Sequence, residues 1–186
     1  MQPRRNFGGK AMFEGWSEFY LMAGGAAAVL IGLIFVVISL MQDRPRATVL
    51  TGSKLYMGPI VLSVSLVLVL SATALTPHID RNSVALIAGL VALWGLARAV
   101  ISIAGIQRLR KSDDPPHWTD VWFYGVIPSV LYIALGFVAL AFWKDMDWAL
   151  QGLAAAITGL LLLAIRNEWD LITWIAPRHD PGDGEY

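Results

Sequence analysis

Arg98 is a charged residue inside a long apolar run, where its guanidinium could pair with a carboxylate or bind an anion. It lies ten residues before Arg108, which corresponds to about 15 Å along a helix and places it near the middle of a membrane. Arginine stays charged under all realistic conditions. In hydrocarbon it therefore needs carbonyls, water, a carboxylate or a bound anion. We predict that Arg98 either has a structural role, with protein carbonyls or a carboxylate as its partners, or binds an anion.

A second group of polar residues lies near the end of the last apolar run, and we call it the C-terminal cluster: Arg166, Asn167, Glu168 and Asp170. Arg166 and Asp170 are four residues apart and share one helix face, where they can pair. Two interpretations stay open. The cluster is either a structural clasp at a helix end, or a functional group that handles an anion, a proton or a lipid head group. Arg98 would meet Glu168 only by extending along the helix axis, or if the fifth helix starts outside the hydrocarbon.

Several chemistries are not predicted for this chain. It contains no cysteine, so disulfides, thiolate metal sites and cysteine nucleophiles are excluded. His78, His117 and His179 are isolated in predicted loops or the tail. The net charge is zero, so nothing indicates bulk attraction to nucleic acid. We therefore predict a protein that is not an enzyme, with no catalytic residue, no metal and no cofactor.

Five apolar runs must position these polar residues. Each is about as long as the ~20 residues that a helix needs to cross a ~30 Å hydrocarbon core. Because lipid cannot form hydrogen bonds with the backbone, the N–H and C=O groups of each run must bond to one another in a helix. The sequence predicts an all-α, polytopic integral membrane bundle of five transmembrane helices. One domain covers residues 1–176, and residues 177–186 form a flexible tail. The predicted spans are about 19–41, 56–76, 84–106, 121–143 and 148–175.

Small residues predict where these helices pack, because close backbone approach, and not apolar burial, drives helix association in lipid. Gly25 and Gly32 are seven residues apart, as are Gly152 and Gly159, so each pair falls on one helix face. The two stretches align with each other, which fits either a duplicated binding element or chance in a biased composition. The predicted packing residues are Gly24, Gly25, Ala28, Gly32, Gly152, Ala155 and Gly159.

Pro128 predicts a kink in the fourth span. It lies about one third of the way into that span, where a proline removes an N–H group and frees a carbonyl. Such a kink could open a cavity for a ligand, or it could only adjust the packing.

Basic residues predict the orientation of the bundle. Five of them fall on the face of the N-terminus and eight on the other face, so the positive-inside rule puts the N-terminus outside and the C-terminus in the cytoplasm. The N-terminal arm, with Arg4, Arg5 and Lys10, argues the other way. The first span is longer than the 7–15 apolar residues of a signal peptide and has no cleavage pattern, so we expect it to be retained.

Two stretches of the chain resemble small, uncharacterised bacterial membrane proteins with several spans. The sequence from Glu18 to Ala28, continued by that from Gly32 to Val36, is similar to their first span. The sequence Ile165-Arg166-Asn167-Glu168-Trp169-Asp170 resembles their Arg-Asn-x-Trp-Asp signature near the C-terminus. The resemblance implies a bacterial inner membrane and no particular activity. It also implies that Arg166, Asn167, Trp169 and Asp170 act as a unit, which favours Asp170 over Glu168 as the partner carboxylate.

These observations favour a non-enzymatic accessory or assembly protein, embedded in the lipid bilayer as a homo-oligomer or as part of a larger membrane complex. Its small size, its Gly/Ala faces and the missing catalytic motifs support this interpretation. The alternative is a small transporter or channel for an ion or small solute, which would use Arg98 and the C-terminal cluster. A membrane enzyme that acts on lipid has the least support.

Overall fold

The computed structural model describes residues 12–40, 57–109 and 121–175. Helices make up 89% of these residues, and no strand occurs among them, so the all-α prediction is confirmed. Five helices are long and apolar enough to cross a membrane. The predicted tail, residues 177–186, lies outside the described residues. The helices are α1 (Ser17–Leu40), α2 (Gly58–Leu75), α3 (Arg81–Leu109), α4 (Ile127–Trp143) and α5 (Ala149–Ile175).

Four of the helices form a ring. Each of α2, α3, α4 and α5 packs against the next, and α5 closes the ring on α2. Helix α1 lies outside this ring, against α2 and α5. Short turns join α2 to α3 and α4 to α5 at one end of the ring, which we call the hairpin end. The opposite end, where α2 and α4 begin and α3 and α5 finish, is the loop end.

Aromatic packing and one ion pair hold the hairpin end together. Phe13, in the turn before α1, contacts the ring of Tyr20 edge-on at 5.3 Å between centroids and lies 6.3 Å from the ring of Phe142. Arg81, the first residue of α3, forms an ion pair with Asp145 in the turn between α4 and α5. The start of α3 is therefore tied to the start of α5.

Asp80 caps α3. Its carboxylate accepts hydrogen bonds from the backbone N–H of Ser83 at 3.0 Å and from the Ser83 hydroxyl at 2.7 Å, which is the usual arrangement at a helix N-terminus. The Ser83 hydroxyl, followed by its backbone N–H, holds the pKa of Asp80 below its usual range. The cap fixes where α3 begins and hence the depth of Arg98.

The fourth span changes helix type where the sequence predicts a kink. Trp122–Val126 form a π-helical turn, in which the N–H of Ile127 donates to the Trp122 carbonyl. Pro128 lies in the first turn of the regular helix that follows. Because proline has no N–H, regular hydrogen bonding cannot pass through it, and a π turn before it accommodates the break. The angle of the kink stays a prediction.

Several glycines lie at contacts between helices. In the described part of the chain, seven helical glycines lie with their Cα beside a side chain of a neighbouring helix. They are Gly24, Gly89, Gly95, Gly125, Gly136, Gly152 and Gly159. A Cβ built on Gly152 would lie 2.9 Å from Val138, and one on Gly159 would lie 2.8 Å from Leu131. These two glycines therefore let α4 and α5 approach closely.

Four other predicted packing residues do not lie at contacts between the described helices. Gly25, Ala28, Gly32 and Ala155 are exposed, and a Cβ on Gly25 or Gly32 would meet nothing within 4 Å. The reason is geometric, since one helix presents a narrow stripe to its neighbours. Helix α1 uses a different stripe, which includes Ala27, for its contacts with the rest of the bundle.

Candidate functional site

The centre of the ring contains a small cavity towards the loop end, with both polar and apolar residues in its lining. It lies between α2, α3, α4 and α5 and has a volume of about 20 Å³. A water molecule needs roughly 10–15 Å³, so the cavity has room for one. The polar residues that line it are Ser63, Arg98, Tyr124, Tyr132 and Asn167.

The topology brings Arg98 and Asn167 to the same depth. Helices α3 and α5 both start at the hairpin end and run in the same direction. Arg98 and Asn167 each lie about 26 Å along their helix at 1.5 Å per residue. They reach the same cavity from different sides of the ring. Counting both residues from the two predicted hairpins could have given this result from the sequence, whereas counting Arg98 from Arg108, at the other end of its span, separated them.

Tyr132 and Ser63 form a hydrogen-bonded pair at the cavity. Their hydroxyl oxygens are 3.1 Å apart and buried. The aromatic ring of Tyr132 lies directly on Gly95, where any side chain would overlap it. Sequence reasoning missed the importance of Tyr132 and Gly95. The available signals were the position of Tyr132 one helical turn after Pro128 and that of Gly95 one turn before Arg98.

Two residues of the C-terminal cluster, Arg166 and Asn167, contact the π turn, and Asp170 pairs with Arg166. The side-chain amide of Asn167 donates to the Phe123 carbonyl at 3.3 Å, and the Tyr124 hydroxyl donates to the Asn167 carbonyl at 3.4 Å. The Arg166 guanidinium lies 3.5 Å from the centroid of the Phe123 ring and also pairs with Asp170. This geometry supports the structural interpretation of these three residues, as a clasp between α5 and the start of α4.

Trp169 takes no part in that clasp. It is 67% exposed and lies on the outward face of α5. Of the four residues that the resemblance treats as a unit, Arg166, Asn167 and Asp170 contact the π turn or each other. The fourth, Trp169, points away from the bundle.

Arg98 lacks a protein partner among the residues that the structure describes. No hydrogen bond or ion pair there joins it to Glu168, to Asp170 or to any other described group. Arg98 is exposed, and it also lines the cavity. The side-chain oxygen of Asn167 is buried and also has no partner in the described ranges. The cavity thus combines a cation with an unused acceptor.

Glu168 is the most unusual member of the cluster. It is only 4% exposed, and neither carboxyl oxygen has a hydrogen-bond partner within residues 12–40, 57–109 and 121–175. It does not line the cavity of Arg98. Burying a polar group without a partner is costly, so an intramembrane carboxyl of this kind is a functional candidate by default.

No protein-family model matches this chain, and neither a curated protein nor a solved structure is significantly similar to it. The cavity and the cluster therefore have to be interpreted from their geometry.

Proposed function

We propose that this protein is a non-enzymatic interaction protein of the bacterial inner membrane that associates with a second copy of itself through α1. The observation that carries the proposal is the exposed small-residue face of Gly25, Ala28 and Gly32. We call it the α1 face. Seven other helical glycines in the described chain contact a neighbouring helix, whereas the two on this face contact nothing.

Helix α5 indicates what would cover the α1 face. Gly152 and Gly159 have the same spacing of seven residues as Gly25 and Gly32, and they hold Val138 and Leu131 of α4. The same pattern on α1 has no helix against it within the described residues. Helix α1 is also the least enclosed span, with 28% of its most apolar stretch buried, against 39–44% in the others.

A second copy is the occupant that satisfies these observations most simply. In lipid, small residues in a row let two helix backbones approach, and van der Waals packing then stabilises the pair. Two copies related by a two-fold axis would place the same face on both sides of the contact. The outward position of α1 leaves room for this arrangement, because α1 packs only against α2 and α5 among the major contacts.

The proposal includes an orientation. The distribution of basic residues supports an N-terminus outside the cell and a C-terminus in the cytoplasm, and the resemblance of the two sequence stretches supports a bacterial inner membrane. The loop end, with Arg98 and the cavity, would then lie towards the cytoplasm.

Disulfide crosslinking tests the association. Because the sequence contains no cysteine, an introduced cysteine is the only one that can form a disulfide. Val29 is 71% exposed and lies on the α1 face. We expect Val29→Cys to give a crosslinked dimer on oxidation in native membranes. Adding Gly32→Leu should reduce the dimer about tenfold or more, because a large side chain separates the backbones; tenfold corresponds to about 1.4 kcal/mol.

The matched control is Leu90→Cys on α3, which is 57% exposed but far from the α1 face. It should crosslink only weakly. Because a Cβ at position 32 meets nothing in the part of the chain that the structure describes, Gly32→Leu should leave the fold of the single chain intact, which circular dichroism checks. Equal crosslinking at positions 29 and 90, or no effect of Gly32→Leu, would contradict the proposal.

A small transporter or channel is a second candidate. The specific observation in its favour is that Arg98 and Asn167 line one cavity. This function requires the ring to open, since the cavity has room for only about one water molecule. We expect a transporter to give anion flux into liposomes that falls at least tenfold with Arg98→Ala and with Asp170→Asn. Flux that neither substitution changes would remove the basis of this candidate.

A further inference from the structure

We propose that Arg98 binds the phosphate group of an anionic lipid at the loop end of the ring. The inference concerns α3 and is independent of the α1 face. Arg98 lies within a span that runs from Arg81 to Gly105, it is exposed, and it has no partner among the described residues. A permanent cation in such a position needs a counter-charge.

The geometry leaves room for a ligand on Arg98. A guanidinium has five N–H donors in a planar fork. Asn167 lines the same cavity and is 4% exposed, and its side-chain oxygen is an acceptor without a partner among the described residues. That single acceptor leaves most of the fork free. The remaining donors suit the bidentate geometry of a phosphate oxyanion.

The surroundings of Arg98 favour a lipid over a dissolved anion. The exposed residues next to it on α3 are apolar: Trp94 is 61% exposed and Ile101 is 60% exposed. A ligand therefore reaches the open side of Arg98 from the lipid phase. Arg98 lies seven residues, or about 10 Å, from the end of its span at Gly105, and extension of its long side chain towards the head groups shortens that distance.

The other groups around the cavity leave the charge of Arg98 available for a ligand. Pro59 and Pro128 both lie in the first turns of their helices beside the cavity, where a proline has no N–H to offer. The side chains of Tyr132 and Ser63 satisfy each other. Arg98 is thus the cationic donor of the cavity, and its charge is not cancelled by any carboxylate that lines it.

Native mass spectrometry of the detergent-solubilised full chain tests this inference. The protein is titrated with phosphatidylglycerol and with phosphatidylcholine of the same acyl chains. We expect the apparent Kd for phosphatidylglycerol to be at least tenfold lower. Arg98→Gln should raise that Kd tenfold or more, and Arg98→Lys, which keeps the charge but loses the fork, should give an intermediate value.

The matched control is Lys144→Gln, which removes an exposed cation at the hairpin end and should leave the Kd unchanged. Equal affinity for both lipids, or an unchanged Kd in Arg98→Gln, would overturn the inference. If Arg98→Gln does not fold, an Arg98→Lys protein that binds phosphatidylglycerol like the native chain overturns it as well. Full displacement of the lipid by millimolar inorganic phosphate would show a site for a free anion and overturn the assignment to lipid.

Discussion

Replacing Gly95 with alanine should lower the free energy of unfolding by about 2–4 kcal/mol, a large effect for one added methyl group. A Cβ at this position overlaps the aromatic ring of Tyr132. That ring is 2% exposed and its hydroxyl is bonded to Ser63, so it cannot move away freely. Overpacking of this kind costs about 1–3 kcal/mol, and loss of the hydroxyl pair adds roughly 0.5–1.5 kcal/mol.

Gly89→Ala on the same helix is the matched control. A Cβ there would lie 3.8 Å from the Cβ of Ala139, an ordinary contact, and alanine is favoured over glycine in a helix interior by roughly 0.5–1 kcal/mol. We expect this variant to be neutral or slightly stabilised. Unfolding in mixed micelles, followed by circular dichroism, measures both. Similar losses at positions 89 and 95 would show that Tyr132 does not pack on Gly95 as described.

A double variant sharpens the test. Tyr132→Leu removes the ring with which the new methyl group collides, so Gly95→Ala should be much less harmful in that background. The difference between the two backgrounds is a coupling energy between the residues. Additive effects would mean that Gly95→Ala acts through the helix backbone alone.

The membrane class and the five helices could be predicted from the sequence, because the hydrocarbon imposes them. A run of about 20 apolar residues must form a helix when no other partner exists for its backbone. The Arg166–Asp170 pair was also predictable, since residues four apart share a helix face. These features depend on local spacing, which a sequence displays directly.

The ring and its cavity could not be predicted in the same way, because they depend on which helix meets which. Gly25 and Gly152 occur in stretches that look alike, yet Gly152 contacts Val138 of the next helix and Gly25 has no such contact among the described residues. Nothing local distinguishes them. Asn167 donates to the carbonyl of Phe123, which lies in the π turn of the fourth span, and no rule of spacing predicted that turn.

Replacing Glu168 with methionine should raise the free energy of unfolding by about 1–3 kcal/mol. Both carboxyl oxygens are buried without a hydrogen-bond partner in the described part of the chain, and a buried unsatisfied polar group costs about that amount. Methionine fills a similar volume with an adaptable apolar chain. The same micelle unfolding experiment measures the change.

Asn167→Met is the matched control, because Asn167 is the adjacent residue and equally buried, at 4% exposed. Its amide donates to the Phe123 carbonyl, which would lose this donor. Removal of the unpartnered side-chain oxygen of Asn167 offsets part of that cost, so stability should still fall, by about 1 kcal/mol. The two neighbours should therefore respond with opposite signs. Loss of stability in Glu168→Met would mean that the carboxyl has a stabilising partner, and would contradict the prediction. A gain would mean that the chain keeps this carboxyl at the expense of stability, as proteins do where a group serves function.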